Sequence, residues 1–432
     1  MSLFLFLVVI VSLSCGTLPP MEIPPTRPIV ATMMLLTAWT MLCHIGVRMI
    51  AKQAIAGNMQ PIAAVACVER QLHLFRWLGL PLIVLCLGGF GLARVLDGLP
   101  WISDTMAVRS VILLVPGLVV TIATWSAENY YGMLVGYAPR SLRAHLRAVL
   151  GMFRVGIAWL VIPVLAVMLV ADLVGWLSLR WEFASWLMPI VVIIALPAFL
   201  PWLVRRIFKT EAVDAEHHGW IQEILDAMSV GHLRLARWNT DGKTYNAMVA
   251  GFVRPFRTLL LSDRLLDELP PDQLAMVVLH EVAHVKRKHV PIRMAMILPA
   301  WALGALFSFL ANQHSLATAL GTLAGIIGTI VGLRLVSYRT EFDADVQACL
   351  TAERLQITRP DLARRLGLPE SAHAATRSLA AALETVTKDH EASRRPTWLH
   401  PGLSDRVDWL RKKISPPHSK AIAGNIAKPA YP

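Results

Sequence analysis

Pro270-Pro271-Asp272-Gln273-Leu274-Ala275-Met276-Val277-Val278-Leu279-His280-Glu281-Val282-Ala283-His284-Val285 decides how the rest of this chain is read. The prolines suit the entry and first turn of a helix, and Asp272 adds negative charge where the helix dipole favours it. Leu274, Val277, Val278, Val282 and Val285 recur at helical spacing. On such a helix His280 and His284 lie one turn apart on the same face, so both imidazoles can bind one metal ion. Glu281 stands beside them, where a carboxylate can take a proton from a metal-bound water.

Two histidines do not complete a catalytic zinc site, which usually has three protein ligands and a water. His289 is near in sequence, but on one continuous helix it lies about 140° around from His284. It is expected to be a surface histidine in the Lys286-Arg287-Lys288 cluster, at lipid-headgroup depth where the chain re-enters the membrane. Glu341 is the better third ligand. The apolar segments 293–312 and 315–336 form a helical hairpin, so an even number of crossings returns Glu341 to the side on which His284 lies. Asp345 is one turn further on the same face and can orient a ligand histidine. By themselves Glu341 and Asp345 would be a solvated helix face, and Asp343 points elsewhere on the helix.

The remainder of the chain is membrane-like. It has 432 residues, 55% of them hydrophobic, and a mean hydropathy of +0.54. Apolar runs fall at roughly 1–14, 28–50, 77–96, 109–126, 155–177, 186–204, 293–312 and 315–336. Runs of about 20 residues can cross roughly 30 Å of hydrocarbon. The net charge of +12 is concentrated at the ends of these runs, which argues for membrane topology rather than nucleic-acid binding. Loops with Arg48, Lys52, Arg70 and Arg76, with Arg140, Arg143, Arg147 and Arg154, and with Arg205, Arg206 and Lys209 alternate with loops holding Asp97 and Asp104, Arg180 and Glu182, or Asn312 to His314. That bias puts both termini and the metal helix on the cytoplasmic side. The short loops and the charge bias suggest a bacterial inner membrane. The five cysteines show no disulfide or zinc-knuckle spacing. Trp176, Trp181, Trp186 and Trp202 fit an interfacial belt, and Asp172 is expected to snorkel or pair with a partner.

Between the membrane runs, a helix is expected at Ala215–Met228 and strands at Leu233–Trp238 and Thr258–Leu261. The division that follows is a membrane region (1–204), the first part of a soluble domain with the metal helix (205–292), a transmembrane hairpin (293–336), a second soluble part (337–414) and a loose tail (415–432).

His280-Glu281-x-x-His284 followed by Glu341-x-x-x-Asp345 resembles the membrane zinc metalloproteases of the CAAX prenyl protease and HtpX type. Two further stretches are similar. Asn246-Ala247 with Gly251 matches the family's Asn-Ala segment, and His400-Pro401 with Arg406 its C-terminal His-Pro…Arg element. The four matches keep the family's order over roughly residues 205 to 410, whereas the N-terminal 200 residues carry none. The resemblance implies a mostly α, polytopic membrane helix bundle with a cytoplasmic zincin-like α+β metalloprotease domain, split by a transmembrane hairpin. It implies that Asn246, Ala247 and Gly251 belong to an edge strand along which an extended peptide lies, and that His400 and Arg406 face the reaction centre.

The expected chemistry is peptide-bond hydrolysis of membrane or cytosolic proteins. One zinc ion per chain is held by His280, His284 and Glu341, and Glu281 is the general base. His400 or Arg406 donates to the developing oxyanion, although Arg406 can equally pair with Asp345. Broad degradation and trimming of a lipidated C-terminal peptide are both compatible. The competing readings are a signal transducer of the membrane antibiotic-sensor type, a non-catalytic scaffold that keeps a metal site, and a transporter. The sensor type is expected to place a sensor domain at the other end of the chain, for which the residues after the site here are too few, a scaffold has no need of Glu281, and a transporter leaves the ordered motifs unexplained.

Overall fold

The computed structural model describes residues 2–99, 102, 104–178, 199, 201–242, 244–251, 253–310, 315–388 and 394–414. The chain divides into two compact units, Met1–Phe208 and Lys209–Pro432. The tail 415–432, most of the expected apolar run 186–204, and Trp181 and Trp186 lie outside the described residues.

The first unit is helical. Its elements are α1 (Ser2–Ser14), α2 (Thr26–Ile55), α3 (Pro61–Val84), α4 (Leu92–Val95), α5 (Met106–Val135), α6 (Leu142–Phe153) and α7 (Trp159–Ser178). Single π-helical turns at Leu85–Gly89 and Arg154–Ala158 follow α3 and α6. Phe4, Val8 and Val9 of α1 are buried in one cluster with Ile83, Leu87 and Leu114. At 13 residues, α1 is about 20 Å long, short of the hydrocarbon thickness. Met33, Met34, Met41, Ile45 and Met49 of α2 are exposed, as lipid-facing side chains would be. Asp172 of α7 caps a neighbouring helix. Its carboxylate accepts hydrogen bonds from the amides of Met106 (2.6 Å) and Ala107 (2.8 Å), which open α5. A free helix N-terminus in an apolar setting needs such an acceptor.

Among the described residues five helices are long and apolar enough to cross a membrane: Thr26–Ile55, Pro61–Val95, Met106–Val135, Leu142–Ser178 and His289–Phe307. They coincide with the runs expected near 28–50, 77–96, 109–126, 155–177 and 293–312. The run at 315–336 is the first half of a much longer helix.

The second unit carries the site. After strand β1 (Thr210–Glu211) come α8 (Ala215–Ala227), β2 (Arg234–Trp238), β3 (Ala247–Ala250) and β4 (Thr258–Ser262). The sheet order is β1-β2-β4-β3. β2 pairs parallel with β4, and β3 pairs antiparallel with β4, so β3 forms an edge of the sheet. Gly251, which ends β3, has φ 90, a backbone conformation that favours glycine. α9 (Asp263–Glu268) follows, capped by the Ser262 side chain, which accepts from the Leu265 amide.

The metal helix is α10 (Pro271–Lys286), with Pro271 in its first turn. Leu274, Val278 and Val282 are buried beside Ile221, Ile224 and Leu225 of α8 and Leu259 and Leu261 of β4. The apolar stripe therefore faces the core, as its spacing requires. α11 (His289–Ala295) and α12 (Ile297–Leu310) lead away, and α13 (Ser315–Thr358), a single helix of 44 residues, returns. α12 and α13 approach so closely that a Cβ on Gly304 would lie 2.4 Å from the Gly321 carbonyl oxygen. Ala348, Cys349 and Ala352 on the far half of α13 complete the core with α15 (Ala372–Val386), which α14 (Pro360–Arg365) precedes. α16 (Leu403–Lys413) closes the unit through Leu410.

Candidate metal centre

His280, His284 and Glu341 come together as the sequence predicts. His280 Nε2 is 3.1 Å from His284 Nε2. Glu341 Oε2 is 3.6 Å from His280 Nε2, and Oε1 is 3.5 Å from His284 Nε2. Tetrahedral ligands at zinc-bond lengths of about 2.0–2.1 Å are spaced about 3.3 Å apart. The three donors thus have nearly the separations that a metal ion imposes.

The protonation pattern points the same way. His280 Nδ1 lies 2.8 Å from Asp345 Oδ1, a short but bent contact that keeps the proton on Nδ1. On the other ring, His284 Nδ1 faces His289 Nδ1 at 2.9 Å, and His289 Nε2 faces Asp343 Oδ2 at 3.0 Å. A carboxylate only accepts, so His289 donates from Nε2 and accepts at Nδ1. His284 then donates from Nδ1. With a proton on each Nδ1, both Nε2 atoms face each other and a carboxylate; against burial, Asp345 and Glu341 hold His280 up at about 9, so the space between them favours positive charge, which a metal ion would supply. Burial, and then His280, keep His284 neutral, as a ligand must be.

His289 departs from the expectation. It is 3% exposed. The helix is not continuous there: α10 ends at Lys286, Lys288 takes a left-handed conformation with φ 55, and α11 begins at His289. The break swings His289 back under His284. Asp343 is likewise engaged, accepting from Arg287 Nε at 2.9 Å as well as from His289. Outer partners of this kind typically change metal affinity by about 10–100-fold. His289→Ala is expected to weaken metal binding by about that factor while the fold is kept, measured by competition with a calibrated chelator.

Glu341 is 3% exposed and Asp345 fully buried. Burial opposes the Glu341 charge, but the His280 and His400 imidazoles beside it hold its carboxyl well below the usual range. Arg293, in sequence only the start of an apolar run, donates to Glu341 Oε1 at 2.8 Å and to Thr340 Oγ1. A cation at the mouth of a membrane helix is the signal that could have found it. Arg406 reaches both Asp345 oxygens, with Nε 2.8 Å from Oδ2. Burial works against the Asp345 carboxylate, and Arg406 outweighs it. Of the two roles open to Arg406, the geometry favours the pair with Asp345.

Glu281 is adjacent to this cluster. Burial, with the Glu341 charge adding to it, pushes its carboxyl up to about 7 against the pull of His280, His400 and Arg406. His400 is more exposed, with Nδ1 3.4 Å from Glu341 Oε2. Its loop is tied down by Tyr338, whose hydroxyl donates to the Thr397 carbonyl at 2.7 Å, and by the Thr397–His400 backbone bond. Asn246 is exposed at the start of the edge strand, and its backbone bonds to Ser262 in both directions. β3 also packs against α10, the helix that carries the histidines.

Residues 211–414 match the family model for peptidase family M48. Among solved structures, the crystal structure of S. mikatae Ste24p aligns with a TM-score of 0.46 and 14% identity, covering 91% of this chain and 100% of that one. Among curated proteins, none matches. Residues 211–414 are thus similar to peptidase family M48, and the histidine pair and glutamate gathered at one point, on a chain with five described helices fit to cross a membrane, are the features of a membrane metalloendopeptidase.

Proposed function

We propose that the chain is an integral-membrane zinc endopeptidase that hydrolyses peptide bonds of membrane or cytosolic proteins at the cytoplasmic face of a bacterial inner membrane. The observation that carries the reading is the convergence of two imidazole nitrogens and a buried carboxylate, with each ligand histidine backed by its own acceptor. His280, His284 and Glu341 would hold the ion. Two imidazoles and one carboxylate are the donor set of catalytic zinc, which polarises a carbonyl and lowers the pKa of bound water to about 7.

The residues of the chain supply the rest. Glu281 takes the proton from the attacking water and returns it to the leaving amine. His400 donates to the oxyanion that develops on the scissile carbonyl. Arg406 acts through Asp345, fixing the His280 ring. β3 offers the outer backbone groups of an edge strand to an extended substrate, starting at Ala247 and flanked by Asn246 and Gly251, so recognition depends little on side chains. The cytoplasmic assignment is supported by the basic residues that recur in alternate loops.

The test is the metal content of detergent-purified protein, wild type beside Glu341→Ala. About one zinc per chain in the wild type and a clear loss in the variant is the expected result. A folded wild type purified without chelator and holding no zinc would overturn the assignment.

A further inference from the structure

Beside the metal centre lies a concave feature whose basic lining residues the hydrolytic reading does not use. A cavity of about 480 Å³ is lined by Lys286, Arg287, Lys288, Arg339, His289 and Asp343. Four cations thus surround one carboxylate, and that carboxylate is already taken by Arg287 and His289. Some arginines elsewhere in the same unit have acidic partners, as in Arg237–Asp267, Arg264–Glu268 and Arg365–Glu223. Among the described residues Lys286, Lys288 and Arg339 have none, and three unpaired cations around one hollow are a concentration of charge. Like charges held around a concavity raise the local potential and attract an anion.

The concavity is built by the backbone. On an unbroken helix Lys286, Arg287 and Lys288 would fan out at about 100° steps. The left-handed turn at Lys288 interrupts the helix, and all three line the same hollow. A lysine residue in that conformation is uncommon, and strain of this kind persists where the surroundings enforce it. The cavity also stands at a defined point in the chain. The lysines immediately precede His289–Phe307, a helix fit to cross a membrane. Arg339 follows the apolar half of α13, and Ile292, 45% exposed, adds an apolar wall. Cations above an apolar wall at a membrane entry suit a phosphate group that carries acyl chains.

We propose that this cavity binds a phosphate anion, of an acidic phospholipid headgroup or free, and that occupancy steadies the ligand His284. The connection is short. Arg287 and His289 share Asp343 Oδ2, and His289 meets His284 at 2.9 Å. A phosphate that engages Arg287 leaves Oδ2 to His289 and tightens the hydrogen bond behind His284. This coupling, though not the binding site, rests on His284 being a metal ligand, so binding and metal affinity are measured separately.

The experiment uses full-length protein in a neutral detergent. Retention of phosphatidylglycerol, phosphatidylcholine and inorganic phosphate is followed by native mass spectrometry at matched ionic strength. Zinc affinity is measured in each condition by chelator competition. The wild type is compared with Lys286→Gln/Lys288→Gln/Arg339→Gln and with the charge-keeping Lys286→Arg/Lys288→Arg/Arg339→Lys. Phosphatidylglycerol is expected to bind about ten- to a hundredfold more weakly to the neutral variant and near normally to the charge-keeping one. Zinc is expected to bind several-fold more tightly when the cavity is filled. Retention of phosphatidylglycerol but not inorganic phosphate supports the headgroup as the source, and equal retention of both supports free phosphate. Equal retention by the wild type and the neutral variant, or loss in the charge-keeping variant as well, overturns the site. Binding without any change in zinc affinity overturns the coupling.

Discussion

Glu281→Gln is expected to keep about one zinc per chain and to lower peptide hydrolysis by about 10²–10⁴-fold, the range for losing a positioned general base. Glu281 is not among the donors that converge on the metal position, so its replacement removes no ligand. Burial and the Glu341 charge raise its carboxyl to about 7. A dication beside it draws that value down and keeps the carboxylate ionised and ready to accept a proton. Glutamine has the same shape and cannot accept that proton. Metal analysis paired with hydrolysis of an unstructured peptide checks both halves. Metal retained with full turnover would remove Glu281 from the role of base.

The second large effect is expected at Arg406. Arg406→Ala leaves Asp345, fully buried, without its bidentate partner. Stranding one member of a buried pair costs about 3–5 kcal/mol, whereas removing both members costs less. Asp345→Asn/Arg406→Ala is therefore expected to unfold at a higher temperature than Arg406→Ala alone, measured as thermal midpoints in the same detergent. Arg406→Lys keeps the charge but not the planar fork and should fall between wild type and Arg406→Ala. Asp345 also backs His280, so Arg406→Ala should lower metal affinity. A variant with normal stability and metal affinity but reduced kcat would assign Arg406 to the oxyanion instead.

The parts of the site that are legible in the sequence are those fixed by helical spacing. His280 and His284 have to share a face, Glu341 and Asp345 have to share another, and an antiparallel hairpin has to bring the two faces together. β2 and β4 are visible from their apolar runs, whereas β3 is reached only through the resemblance of Asn246-Ala247 and Gly251. His289 is not, because an angle of about 140° presupposes an unbroken helix, and nothing in Lys286-Arg287-Lys288 marks a left-handed turn. Asp343 is hidden for the same reason: its partner, on an unbroken helix, would point into water. Arg293 reads as a boundary marker, although in the structure it holds Glu341. The cap that Asp172 provides for α5 depends on which helices are neighbours, and periodicity within one segment carries no such information.

The hairpin of α12 and α13 separates Glu341 from the histidines in the order of synthesis. With Glu341 as the third ligand, a nascent chain displays the His280–His284 helix before the residue that completes it has been made. The ion can be gripped only after α12 has been laid down and α13 has come back along it. Completion of the metal position is thereby tied to the closing of this hairpin rather than to the synthesis of the histidine helix.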